Sequence, residues 1–362
     1  MESARLRAVR LAHHALVAPE TDLGAAARRM AATQAQQFWA GRWALGIRTA
    51  AEVSLSDVDD AFARGVLVRS WTQRGTLHIV AAEDLAWILE LTRDRQLRQA
   101  AGMHRRFGIE ADDITRAVHA ALSGGNCLTR GEVAGVMAAA GADVAGSRGN
   151  HLLSALAVRG QVAFGPVVPR EGAPTREQYL IAADDWLPDA AAPAEPWAEL
   201  LVRYLAGHGP ATLEDFRWWA GVPVGVARAA RETAGDRVTA LEEDLFVVAD
   251  VVVADVAVAD APRGAAECCA EVLALPPFDE YYLSYADRSR VCPPQHCAAI
   301  GPTLNGLVRP VLVAEGEVIG TWRHSTAVGT QHLDPEPEPF GPAADAASIA
   351  SALGRVARFL RG

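Results

Sequence analysis

The 362-residue chain has no lysine: all 34 of its basic residues are arginine. That absence removes the side-chain amine on which Schiff-base catalysis depends and leaves the N-terminal amine as the one remaining candidate. It also makes every positive charge a planar fork suited to phosphate. No apolar run approaches the roughly 20 residues a spanning helix requires, which excludes a membrane protein. The N-terminal stretch MESARLRAVRLAHHAL has no apolar core followed by a cleavage site, so a cytoplasmic location is expected. Cysteine is scarce, and five is an odd count that fits reduced thiols better than a disulfide framework. GxGxxG, GxxxxGK[ST] and HExxH are all missing, so the common dinucleotide, phosphate-loop and zinc-protease sites are not expected. What is present is ample apolar material, 50% of the residues, with a charged fraction of 22%. This excludes wholesale disorder and provides cores for about two to three domains.

The net charge of −10 argues at first sight against nucleic acid, but it is unevenly spread. Residues 1–160 hold 19 Arg against 16 acids, a balance of +3. Residues 161–362 hold 15 Arg against 28 acids, a balance of −13. The sum therefore decides nothing about DNA; whether one face is basic does.

Apolar periodicity reads residues 4–18, 24–32 and 53–64 as helices, the last with a cap-like Ser56–Asp59 spacing. VLVRSWTQRGTLHIV (66–80) is a hairpin, with β-branched and aromatic residues on either side of Gln73-Arg74-Gly75. An internal repeat follows. Its copies, about 111–167 and 196–250, both read helix, capped helix, turn, helix, strand pair. Thr129–Glu132 caps one and Thr212–Asp215 the other. That order is a helix-turn-helix with a wing. The C-terminal part alternates as strands from about 249. It continues through a hairpin about Glu315-Gly316 and a Pro-rich extended connector (332–342), and ends in an amphipathic helix (344–361). The expected fold class is α+β. Three tandem winged-helix units occupy 1–105, 106–190 and 191–250. A β-rich part with a terminal helix follows at 251–362.

Four segments carry candidate chemistry. TQAQQF (33–38) places three Gln within four residues. On a helix, residues i and i+2 stand about 200° apart, whereas on extended backbone they face the same way. Gln34 and Gln36 can therefore act together only where the backbone is not helical; otherwise they are polar helix surface. In the hairpin, Arg74 at the tip suits entry into a minor groove, and His78 is either a structural or a DNA-facing residue. ALPPFDEYYLSYADRSR (274–290) reads as a core-edge strand with salt bridges. In it Asp287 orients an arginine, and Arg288 and Arg290 are available to DNA. Cys292 and Cys297 flank His296, but a metal needs a second ligand pair. The adjacent Cys268 and Cys269 chelate poorly, so no metal and no cofactor are expected.

Together QAQ, RSWTQRGTLHIV, LPPFDEYYLSYADRS and NGLVRPVLVAEGEVIGTW resemble, in order and over nearly the whole chain, the AlkZ-type winged-helix DNA glycosylases. The resemblance implies three winged-helix units around a concave basic surface for duplex DNA. It also implies hydrolysis of the N-glycosidic bond of alkylated purines. One branch carries Gln-Φ-Gln and unhooks bulky adducts and crosslinks made by natural-product alkylators; another carries Gln-Φ-Asp. By this resemblance the catalytic pair maps onto Gln34 and Gln36. Gln73, Arg74, His78, Arg288 and Arg290 are the expected DNA contacts, and the family's DNA-inserting hairpin is either the Arg74 hairpin or the one near 316. Thr33 stands where the family has a Leu, and Gln37 follows the motif directly. The implied protein is a monofunctional, monomeric glycosylase acting on double-stranded DNA with alkylated purines. The competing class is a non-enzymatic winged-helix transcriptional regulator, which would need a dimer interface. Three units in one chain give a long footprint without one.

Overall fold

The computed structural model describes residues 3–50, 52–107, 112–170, 175–242, 244–249, 271–326, 333–341 and 345–361. In chain order it begins with α1 (Ser3–His13), α2 (Leu23–Met30), the extended pair β1 (Thr33–Gln34), α3 (Phe38–Gly46) and α4 (Leu55–Ala63). The hairpin β2 (Leu67–Trp71) and β3 (Leu77–Ala81) follows, then the long α5 (Leu85–Phe107). Next come α6 (Asp112–Leu122), α7 (Arg130–Ala139), α8 (Arg148–Val158), β4 (Val162–Val167), β5 (Gln178–Ala182) and the short α9 (Ala183–Trp186). The second helix run is α10 (Pro196–His208), α11 (Leu213–Ala220) and α12 (Val224–Ala234), with β6 (Val238–Ala240) and β7 (Phe246–Val248). The chain closes with β8 (Leu273–Leu275), α13 (Glu280–Leu283), α14 (Pro294–Ile300), β9 (Val311–Ala314), β10 (Glu317–Arg323), β11 (Glu336–Pro339) and α15 (Ala346–Arg361).

Two compact units result. One combines residues 1–58 with 197–362; the other holds 59–171 and 175–196. In the second unit the strands run β3-β2-β4-β5, all antiparallel. Helices α6, α7 and α8 cover them through Ile114, Val118, Leu122, Met137 and Leu156, with Trp71 and Phe164 in ring contact at 5.5 Å. The repeat expected from sequence appears as element order. Both copies run three helices then two strands, and each second helix begins with a capping box, Thr129 with Glu132 and Thr212 with Asp215. Each box satisfies two orphan helix-end donors and is worth about 1 kcal/mol.

In the first unit a four-stranded antiparallel sheet, β11-β10-β9-β8, packs against α3 and α15. Two indoles tie these layers. Trp43 Nε1 donates to the Ala274 carbonyl (2.8 Å) and Trp322 Nε1 to the Leu275 carbonyl (2.9 Å). Trp43 also meets Phe359 of α15 at 5.0 Å.

Three sequence expectations need correction. The cap of α4 is Ser54 with Asp57, two residues before the Ser56–Asp59 pair. The 274–290 segment is not a strand beyond β8. Pro276 and Pro277 end the pairing, and Asp279 caps a short helix by accepting from the Tyr281 N–H (2.9 Å). The Pro-rich 332–342 stretch is more than a connector, because β11 pairs with β10 as an edge strand. An edge tolerates Pro337 and Pro339, which lack a donor. Gly320 permits the approach; a Cβ there would stand 2.7 Å from Pro339 Cα. The strands expected over 250–260 lie outside the described residues, as do Cys268 and Cys269.

Candidate active site

Helix α2 stops at Met30 because Ala31 turns into positive φ (+56°). The turn is locked from outside by α10. Gly207 packs so tightly on the end of α2 that a Cβ there would stand 2.2 Å from the Arg29 carbonyl oxygen. Thr33 and Gln34 are then extended, and α3 begins only at Phe38. The backbone of Gln34-Ala35-Gln36 is thus not helical, the condition under which the two glutamines can serve one site. Gln34 and Ala35 are buried, while Gln36 and Gln37 are exposed.

Beneath this segment lies a carboxylate with no exposed surface, Glu280. Its Oε1 accepts from the Gln34 backbone N–H (2.8 Å). Its Oε2 accepts from Trp219 Nε1–H (3.1 Å) and from the Ser284 hydroxyl. His208 Nε2 stands 4.0 Å from the same oxygen. His208 Nδ1 donates to the Tyr204 carbonyl (3.0 Å), so Nε2 carries the lone pair; burial drives its pKa down to about 3 and keeps it neutral.

The preceding residue, Asp279, forms a bidentate pair with Arg48 (2.8 and 2.9 Å), both almost wholly buried. Phe278, just before the two acids, has φ +63°. Around them Tyr285 donates to the His208 carbonyl (2.7 Å) and accepts from His14 Nε2 (2.8 Å). Arg10 lies 3.7 Å over the Tyr285 ring. Burial, reinforced by His208, holds the His14 pKa well below its usual value.

The remaining sequence candidates fall in two places. Arg288 and Arg290 belong to the first unit. The Arg288 guanidinium lies 5.0 Å from the Trp218 ring and 5.5 Å from that of Tyr282, and burial lowers its pKa. Asp287 accepts from the Ser289 N–H (2.9 Å). Gln73, Arg74 and His78 belong to the second unit. Arg74 (φ +58°) and Gly75 (φ +68°) make the turn, with Arg74 half-buried and Gly75 exposed.

Gln73 and His78, expected as DNA contacts, are both buried. They are 2% and 0% exposed. His78 instead braces the turn, with Nδ1 at 3.1 Å from the Thr76 carbonyl and 2.8 Å from the Thr72 hydroxyl. Burial, then the nearby Arg74 charge, lowers its pKa to about 3. The other hairpin is packed at its tip. Arg7 Nε donates to the Glu315 carbonyl (3.4 Å), and Tyr281 donates to that of Gly316 (2.7 Å). Among the described residues no group of three or more His, Cys, Asp or Glu could hold a metal. His296 stacks on Phe340 at 4.2 Å, and Cys292 is buried with its thiol pushed up by burial.

The family model described as DNA glycosylase AlkZ-like matches residues 27–359. The chain belongs to the AlkZ-like DNA glycosylase family. An interstrand DNA cross-link repair glycosylase of Streptomyces sahachiroi is 28% identical over 307 residues, covering 81% of this chain and 80% of that protein. The solved structure of the Streptomyces sahachiroi DNA glycosylase AlkZ superposes with a TM-score of 0.77 at 23% identity. It covers all of this chain and 97% of that one, a likeness of fold.

The chain is thus an enzyme, a DNA-repair glycosylase whose partner is DNA, with a mixed helical and antiparallel-sheet fold. No helix among its described residues is long and apolar enough to cross a membrane. In this AlkZ-like enzyme the sequence reading missed Glu280. The signal was present as two adjacent acids in an aromatic run, PPFDEYYLSY, where an acid survives burial only with donors around it. Chemically the segment offers two neutral amides, each with one acceptor oxygen and two N–H donors. Such groups orient water and solvate a cation; they do not take a proton.

Proposed function

We propose that this enzyme is a monofunctional glycosylase that hydrolyses the N-glycosidic bond of cationic N7-alkylated purines in double-stranded DNA, bulky adducts and crosslinks included. The observation that carries the proposal is the non-helical Gln34-Ala35-Gln36 segment, anchored below at Gln34 and exposed at Gln36. An N7-alkylated purine already bears positive charge and departs without an added proton. The sugar then passes through an oxocarbenium-like state. The Gln34 and Gln36 amides hold the attacking water and turn carbonyl dipoles toward that charge. Without lysine, water rather than a side-chain amine captures C1′. A neutral amide supplies neither acid nor base, so poor leaving groups such as uracil stay in place.

In this reading the helix-and-hairpin repeats are three winged-helix units, spanning 1–105, 106–190 and 191–250, that present the motif to DNA. The Arg74 turn is the inserting hairpin, favoured over the packed Glu315–Gly316 tip, and Arg288 and Arg290 meet phosphate. The protein acts as a monomer in the cytoplasm. The test is incubation with duplex DNA containing N7-methylguanine. Free base and an intact abasic strand support the proposal; no release at any enzyme excess overturns it. A borohydride-trapped protein–DNA adduct overturns the monofunctional part.

A further inference from the structure

Glu280 is hard to account for as scaffolding alone. Burying a carboxylate is unfavourable. Yet Glu280 is wholly buried, and its two oxygens collect the Gln34 N–H, the Trp219 indole N–H and the Ser284 hydroxyl. Two non-glycine residues in positive φ stand on either side of the contact, Ala31 before Gln34 and Phe278 before the acids. Conformations of that kind persist where the surroundings over-determine them, and they cluster at functional sites. The adjacent Asp279 is already matched to Arg48, so α13 is pinned independently of Glu280.

We infer that Glu280 is a positioning residue of the glycosylase: its carboxylate fixes the Gln34 backbone and places a negative charge beneath the motif, where it favours the sugar cation formed above. The inference rests on the proposed oxocarbenium chemistry at Gln34 and Gln36. The neutrality of the glutamine amides is then offset from below, by a charge that meets the Gln34 backbone N–H. At an effective dielectric of about 20, a unit charge about 8 Å away favours a cation by about thirtyfold.

The experiment compares wild type, Glu280→Gln and Glu280→Asp on three duplexes. One carries N7-methylguanine, one a cationic pyrrolidine abasic analogue, and one the neutral tetrahydrofuran analogue. Wild type is expected to prefer the pyrrolidine duplex over the tetrahydrofuran one. Glu280→Gln keeps the shape, removes the charge and turns one of the two acceptor oxygens into a donor. It should bind tetrahydrofuran DNA as wild type does, and lose on the order of ten- to thirtyfold in both pyrrolidine preference and single-turnover excision. Glu280→Asp keeps the charge on a shorter stem. It should retain the preference but excise slowly, because Gln34 is released. A merely structural bond would lower stability without moving the preference ratio. A folded Glu280→Gln variant with the wild-type ratio and rate overturns the inference. If that variant does not fold, Glu280→Asp with wild-type excision overturns it. A wild type that releases no N7-methylguanine overturns the proposed function instead, so the two failures are separable.

Discussion

Lowering the pH from about 7.5 to about 5.5 should weaken both units through their buried imidazoles. His208 in the first unit and His78 in the second have no exposed surface, and burial holds each pKa near about 3, against 6.5 for an ordinary imidazole. Both stay neutral in the fold across this range. The unfolded chain binds a proton at each below 6.5. Their contribution is therefore complete above 6.5 and is lost progressively as the pH falls toward about 3. One unit below 6.5, the loss is about 1.4 kcal/mol per histidine. His14, also held neutral by burial, adds a loss of the same sign to the first unit. In the second unit His119 opposes it, because Asp184 raises its pKa, but that pair is open to solvent and screened. The first unit should thus be the more acid-sensitive. Carboxylates with lowered pKa, such as Asp22 and Asp287, act at lower pH and do not enter this window. Urea unfolding at the two pH values, read by hydrogen-exchange mass spectrometry to separate the units, measures the effect. His208→Asn keeps a donor for the Tyr204 carbonyl but cannot titrate, and should recover about 1.4 kcal/mol of the acid loss in the first unit. A wild-type midpoint that does not move, or a His208→Asn variant as acid-sensitive as wild type, refutes the reasoning.

Gln34→Ala and Gln36→Ala should each slow single-turnover excision by about 10²–10³-fold with DNA affinity nearly intact; wild-type rates would reduce the segment to surface. Gln36→Asp should gain activity on lesions with poorer leaving groups, since a carboxylate can activate water, while the wild type leaves uracil and ethenoadenine in place. Affinity measured against salt should fall with a log–log slope of about −0.9 per phosphate contacted, and Arg74→Ala should weaken binding or excision; a flat slope would remove duplex DNA as the direct partner. Arg48→Met leaves Asp279 buried without its cation and should cost about 3–5 kcal/mol in a denaturant titration.

The parts of the fold that sequence reveals are those set by near neighbours. The Arg74 turn is legible because Gly75 accepts positive φ between two β-rich runs, and the two capping boxes because Thr and an acid stand three apart. The motif itself is legible as residue types, and the requirement for non-helical backbone follows from its i, i+2 spacing. What forces that backbone is not local. Gly207 against Arg29 and Glu280 against Gln34 are contacts between residues far apart in the chain. No periodicity encodes them. Strand β11 escapes notice for another reason. Its prolines suppress the usual strand composition, and its pairing depends on the bare Cα of Gly320 opposite. The inward placement of His78 and Gln73 depends on how the hairpin packs, which no spacing announces.

The first unit is assembled from two lengths of chain, with the whole second unit translated between them. Gln34 and Glu280 are 246 positions apart, and Trp219, Ser284 and His208 also come from the later length. A ribosome making this protein therefore releases the glutamine motif into the cell long before the groups beneath it exist. Contacts of such separation form late and raise the cost of loop closure. The second unit, continuous apart from a few residues, can fold in the meantime. A chain terminated before residue 280 would display the motif without the floor that shapes it.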